Sequence, residues 1–156
     1  MLVTLESTAL ARWVGESLYA YPGLLACHII GLAIVVGIFS MRDLKLLGFF
    51  PDLDIRVFSS LNRLALAGFT INAVSGLLLF SSQASYLATS VPFLTKIACI
   101  TAGMSLAYQL RPAVLLAATV SGGQQLASPG LTMKAGLSLA IWIGAIIAGR
   151  LIAYIF

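Results

Sequence analysis

Charge is scarce in this 156-residue chain, where five Asp and Glu and nine Lys and Arg together make up 9% of the sequence. Soluble domains carry roughly 25% charged residues, so a water-covered globule is excluded. There is one histidine, and there are two cysteines. Cys27 and Cys99 lie inside apolar runs, where a free cysteine behaves as a small hydrophobe, and two such residues make neither a disulfide framework nor a cysteine metal cluster. No nucleophile triad, phosphate loop or carboxylate pair is present. The nine cations stand in nine separate places, so the isoelectric point of 9.4 does not describe a nucleic-acid surface, which needs a basic stripe.

Apolar length is what the chain does have. Hydrophobic residues are 60% of the total and the mean hydropathy is +1.04. A membrane crossing takes about 20 apolar residues, so the length allows four crossings and leaves little for a domain outside the bilayer. The expected fold is an all-α integral membrane four-helix bundle with a short N-terminal interfacial helix, one domain over residues 1–156.

The spans are placed by apolar runs and their breaks. The first is expected at 20–41, stopping at Arg42, Asp43 and Lys45, with Asp43 as a surface ion-pair partner of its cationic neighbours. A loop with Pro51, Asp52 and Asp54 leads to the second, 57–82. The third, 93–111, ends at Arg111-Pro112, and the fourth covers 133–155. Between them, Ser121 to Gln125 and Ser128-Pro129-Gly130 carry the Gly, Pro and small polar residues of loops. Backbone polar groups in lipid must be bonded within the segment, and barrel-type alternation is missing, so the spans are helices. Upstream, Leu10, Trp13, Val14 and Leu18 recur at helical spacing, which predicts an interfacial helix over 6–18. A cleaved signal peptide is disfavoured by Glu6 and by the late apolar run.

Positive charges near span ends mark the cytoplasmic side. With the loop after the first span inside, Arg42, Lys45, Arg56, Arg63, Arg111 and Lys134 are all cytoplasmic, and both termini are outside. His28, Lys96 and Arg150 then come from three helices into the outer leaflet, where ionisable groups are costly and mark sites. Gly31 follows His28 by three residues, on the same helical face. Imidazole is an iron ligand, a glycine one turn away admits a flat ring, and cations near the surface pair with carboxylates. The candidate cofactor-binding residues are therefore His28, Gly31, Lys96 and Arg150, with His28 as metal ligand. A second axial ligand is open among Met104, Lys96, Tyr21, water and the His28 of a second subunit. The plain alternative is that His28 bonds between helices while Lys96 and Arg150 reach to the headgroups. Gly136, Ala140, Gly144 and Ala148 form a small-residue stripe for a close helix contact, internal or between subunits of a homo-oligomer. Asn72 and Ser75 are expected to bond between helices, and Trp142, near the middle of its span, to pack in the core or else to line a cofactor pocket.

Two strings carry a resemblance. His28 to Gly37 closes with Arg42-Asp43-Leu44-Lys45-Leu46-Leu47-Gly48, and Arg63-Leu64-Ala65, Ser75 to Phe80, Tyr86 and Phe93-Leu94-Thr95-Lys96 follow. Together they resemble a family of small bacterial four-helix membrane proteins of unassigned function, over about three quarters of the chain. More distantly the layout is similar to HemJ-type membrane protoporphyrinogen oxidases, four-helix proteins of the cytoplasmic membrane. That similarity implies haem b on His28 and a functional role for Lys96. The further histidine of that pattern, after the third-helix lysine, is replaced here by Tyr108-Gln109. Three functions remain in view: a haem b protein for electron transfer or redox sensing, an oxidoreductase acting on a porphyrin-like or quinone-like molecule, and a cofactor-free carrier or assembly subunit. The partners implied are the lipid bilayer and either a redox partner or a hydrophobic small molecule.

Overall fold

The computed structural model describes residues 2–119 and 128–154. Among these residues every regular element is a helix: α1 (Leu2–Glu6), α2 (Ala9–Glu16), α3 (Ala20–Leu46), α4 (Arg56–Ser82), α5 (Ala84–Leu87), α6 (Val91–Thr119) and α7 (Pro129–Leu151). Helices α3, α4, α6 and α7 are long and apolar enough to cross a membrane. At 1.5 Å per residue the 27 residues of α3 reach about 40 Å, beyond the roughly 30 Å of hydrocarbon in a bilayer.

Three boundaries differ from the sequence expectation, each for a local reason. Helix α3 runs through Arg42-Asp43 because the two side chains pair with each other inside the bundle. It ends at Gly48, whose φ of 90° favours glycine. Gly48 N bonds Lys45 O and Phe49 N bonds Leu44 O, the paired closure of a Schellman motif. Helix α6 continues past Arg111 with Pro112 inside it, although proline removes one backbone bond. Helix α7 starts four residues early, because Ser128 is its N-cap, accepting from Leu131 N at 3.2 Å, and Pro129 takes the first helical position, where no N–H is missed. The sequence reading placed Ser128-Pro129-Gly130 in a loop; these residues are a helix start. The expected loop at 121–125 lies outside the described residues.

The expected interfacial helix is two short ones. Thr8 separates them and caps α2, its Oγ1 accepting from Ala11 N at 3.3 Å. Ala11 and Val14 are buried against the bundle while Leu10, Trp13 and Leu18 stay exposed. Glu6 ties this segment down, its carboxylate accepting from Ser85 N at 2.7 Å and Ser85 Oγ at 3.1 Å.

Helix α3 packs most extensively on α4 and α6 on α7; α3 also lies along α7, whereas α4 and α6 touch only lightly. The core sits on the α3–α7 seam and toward the α3–α4 loop. One cluster is Val35, Phe39, Ala65, Ala107 and Trp142, and the other is Leu46, Ile55, Phe58, Leu110, Val114 and Ala135. On α7 the buried face is Ala135, Ser138, Trp142, Ala145 and Ala148. The expected stripe Gly136, Ala140, Gly144, Ala148 is therefore turned partly away, with Ala140 exposed. Trp142 fits because Gly103 has no side chain: a Cβ there would lie 2.9 Å from the indole.

Candidate functional site

A close glycine crossing between α3 and α4 positions His28. Gly31 of α3 meets α4 so closely that a Cβ on it would stand 2.7 Å from both Asn72 N and Gly68 O. A Cβ on Gly68 would stand 2.7 Å from Ile34 Cγ2. With the two backbones this near, His28 and Asn72 exchange bonds. His28 Nδ1 donates to Asn72 O at 2.9 Å, and Asn72 Nδ2 donates to His28 O at 2.8 Å. Gly76 leaves room for the ring above that carbonyl, since a Cβ there would come within 2.9 Å of His28 Cε1. Ser75 donates to Ile71 O at 2.6 Å within α4, and its Oγ also stands 3.4 Å from His28 Nδ1 across the two helices, as expected of an interhelical polar group.

These partners assign the tautomer. A carbonyl oxygen only accepts, so Nδ1 bears the hydrogen and Nε2 of the neutral ring bears the lone pair. Nε2 is met by Lys96 Nζ of α6 at 2.9 Å, and an ammonium only donates. The stem of Lys96 runs past Gly149 of α7, with a Cβ position 3.4 Å from its Cδ. Four helices thus converge on one imidazole: α3 carries it, α4 anchors it, α6 supplies a cation and α7 makes space.

The sequence candidates are divided by this geometry. His28 and Lys96 are brought together, and Lys96 turns inward instead of reaching toward a headgroup. Gly31 offers no open face to a flat ring, because α4 covers it. Arg150 is exposed in the last turn of α7, with its guanidinium over the Tyr154 ring at 5.5 Å. Met104 is half-buried beside the Val35–Trp142 cluster. Sequence reasoning missed Gly76 and Gly149, which flank the His28–Lys96 pair. The available signal was Gly68, Asn72, Ser75 and Gly76 at spacings of four, three and one, a small polar face on an otherwise apolar helix.

A second polar cluster lies toward the other end of α3, and it corrects the reading of Asp43 as a surface partner. Asp43 is 0% exposed and Arg42 5%. Arg42 donates to Asp43 Oδ1 from both Nε, at 2.9 Å, and one Nη, at 2.6 Å. The guanidinium also lies 4.9 Å above the Phe39 ring, which stacks on Trp142 at 5.7 Å. Ser138 of α7 faces the carboxylate, yet Asp43 Oδ2, Ser138 Oγ and Trp142 Nε1 make no hydrogen bond. The heptad spacing from residue 28 to 35 to 42 turns Asp43 to the α7 side and places His28, Val35 and Arg42 along one face of α3.

Comparison with family models, with curated proteins and with solved structures returns no match. The class defined by the fold is that of an all-helical protein with four candidate membrane-spanning helices. Its site is a neutral histidine held by a backbone carbonyl and faced by a lysine. Among the described residues no group of three or more His, Cys, Asp or Glu gathers to hold a metal ion.

Proposed function

We propose that the protein is a multi-pass haem b protein of the bacterial cytoplasmic membrane, with His28 as an axial ligand, serving electron transfer or redox sensing. The observation that carries this reading is the Nδ1–H bond to Asn72 O. A histidine ligand commonly donates its other ring N–H to a carbonyl, which fixes the tautomer and raises the basicity of the ligating nitrogen. Nε2 is that nitrogen here. Ligation requires the Lys96 hydrogen bond to open, and the freed ammonium then stands beside the ring nitrogen, placed to pair with a carboxylate. Gly31 takes no part in this version of the site, and Arg150 serves only if it leaves Tyr154. When bound, haem supplies a one-electron couple whose potential the apolar helix walls set through burial. Placing the α3–α4 loop in the cytoplasm, with both termini outside, is supported by six of the nine cations falling toward that end of the bundle.

The test is a reduced-minus-oxidised pyridine haemochrome spectrum of the detergent-purified protein. One haem b per chain, lost in His28→Ala with expression retained, is the expected result, and one per two chains would indicate a site shared between subunits. A colourless protein that is fully folded overturns the reading.

A second reading has its own supporting observation: the 2.9 Å bond between Lys96 and His28 already gives the ring nitrogen Nε2 its partner. In that case the cluster is an interhelical clasp in a cofactor-free carrier or assembly subunit. His28→Ala would then lower thermal stability without any spectroscopic change.

A further inference from the structure

The light contact between α4 and α6 leaves a cavity of about 260 Å³ floored by α3, and it is not part of the His28 site. Its polar lining is Arg42, Ser59, Asn62, Tyr108 and Arg111, and no carboxylate is among the lining residues. We infer that this cavity seats the headgroup of an anionic phospholipid.

Charge is the first argument. Arg42 uses Nε and one Nη on Asp43 Oδ1, which balances its charge and leaves its other Nη as a donor, so the uncompensated charge at the cavity is that of Arg111. Arg111 is exposed and makes no hydrogen bond or ion pair among the described residues. Two guanidiniums from different helices suit a phosphate, whose oxygens accept paired N–H bonds from a planar fork. Ser59, Asn62 and Tyr108 add neutral donors of the kind that fix a headgroup's orientation. Basic pockets between spanning helices on the cytoplasmic side bind such headgroups.

Depth and shape select a lipid over a free anion. Arg42 is four residues from the end of α3 and Ser59 three from the start of α4, so both lie within about 6 Å of a helix end, at headgroup level. Apolar side chains, among them Leu66 and Leu115, line the rest, and these two are exposed on the outside of the bundle. The volume is below the roughly 300–1,000 Å³ of pockets that enclose a whole ligand. It suits a head and its first methylenes, with the tails left in the bilayer. A zwitterionic head would set its ammonium against Arg111, so an anionic one is favoured. This inference rests on membrane insertion and is independent of haem at His28.

The test uses the full chain, delipidated in detergent, with bound lipid counted by native mass spectrometry and the thermal midpoint followed. Phosphatidylglycerol is expected to be retained and to raise the midpoint, while phosphatidylcholine and inorganic phosphate do neither. Arg111→Gln should weaken phosphatidylglycerol binding roughly tenfold, as expected for loss of a charge-assisted contact. Lys134→Gln, an exposed cation toward the same end and outside the lining, should leave binding unchanged. Equal retention of phosphatidylcholine overturns the anion preference, and an equal effect of inorganic phosphate overturns the lipid. Unchanged binding in Arg111→Gln, or an equal loss in Lys134→Gln, overturns the site.

Discussion

The two polar clusters of this bundle are built on opposite principles. Around His28 each hydrogen-bonding atom of the ring has a partner, and the partners come from α4 and α6 at 2.9 Å. Around Asp43 the charges are more deeply buried, yet three polar atoms have no hydrogen bond. The first cluster holds its shape through backbone: a carbonyl anchors the ring and glycines leave the space. The second holds through a single ion pair between sequence neighbours, which fixes no helix relative to another. A histidine held in this way is suited to present one nitrogen repeatedly in one orientation. A buried pair with unmet bonds is suited to respond when something polar arrives.

Breaking the ion pair should give the largest effect. Asp43→Leu strands the Arg42 guanidinium in the interior and is expected to cost about 3–5 kcal/mol, whereas the double change Arg42→Met with Asp43→Leu should recover most of it. Denaturant unfolding in detergent measures both, and a single variant as stable as the parent would show that the pair is not buried. Next in size is Gly31→Ala. Its new methyl meets backbone rather than a movable side chain, so the helices must separate, at a cost of about 1–3 kcal/mol. The His28–Asn72 exchange should loosen with it, seen as faster amide exchange at both residues; unchanged exchange would place the clasp elsewhere.

Within the His28 cluster the two partners should differ. His28→Ala leaves a half-buried ammonium without its acceptor, so it should destabilise more than Lys96→Met, which leaves only a ring nitrogen unmet and should cost about 1 kcal/mol. The reverse order in thermal melts would mean that Lys96 has another partner. If haem is bound, Lys96→Met should also shift its midpoint potential, read by redox titration. Ser138→Ala should be the mildest, close to neutral, because its buried hydroxyl has no hydrogen bond to lose. A clear loss on unfolding would instead reveal a working bond to Asp43.

Much of the architecture is legible in the sequence. Four apolar runs became four long helices, and Asn72 and Trp142 took their expected roles, one bonding between helices and the other packing in the core. What sequence pattern could not show was pairing across helices. Asp43 beside Arg42 and Lys45 reads as surface charge because nothing local says that α7 will cover it. Gly31 reads as an open face because its partner, Gly68, is distant in sequence and belongs to another helix. Arg111 and Pro112 look like a helix end, and only the surrounding helices determine that the chain continues. Lys96 likewise looks free to reach outward until Gly149, on another helix, is seen to make room for its stem.

The light contact between α4 and α6 also bears on how the molecule is assembled. Most of its packing is within α3 and α4 and within α6 and α7, two helical hairpins each drawn from a continuous stretch of chain. Each hairpin carries its own close fit, the Gly31–Gly68 crossing in the first and Gly103 against Trp142 in the second. The His28–Asn72 bonds lie within the first hairpin, whereas the Lys96–His28 bond crosses between the two. The orientation of the imidazole therefore belongs to one hairpin, and only its contact with the cation depends on how the two hairpins dock.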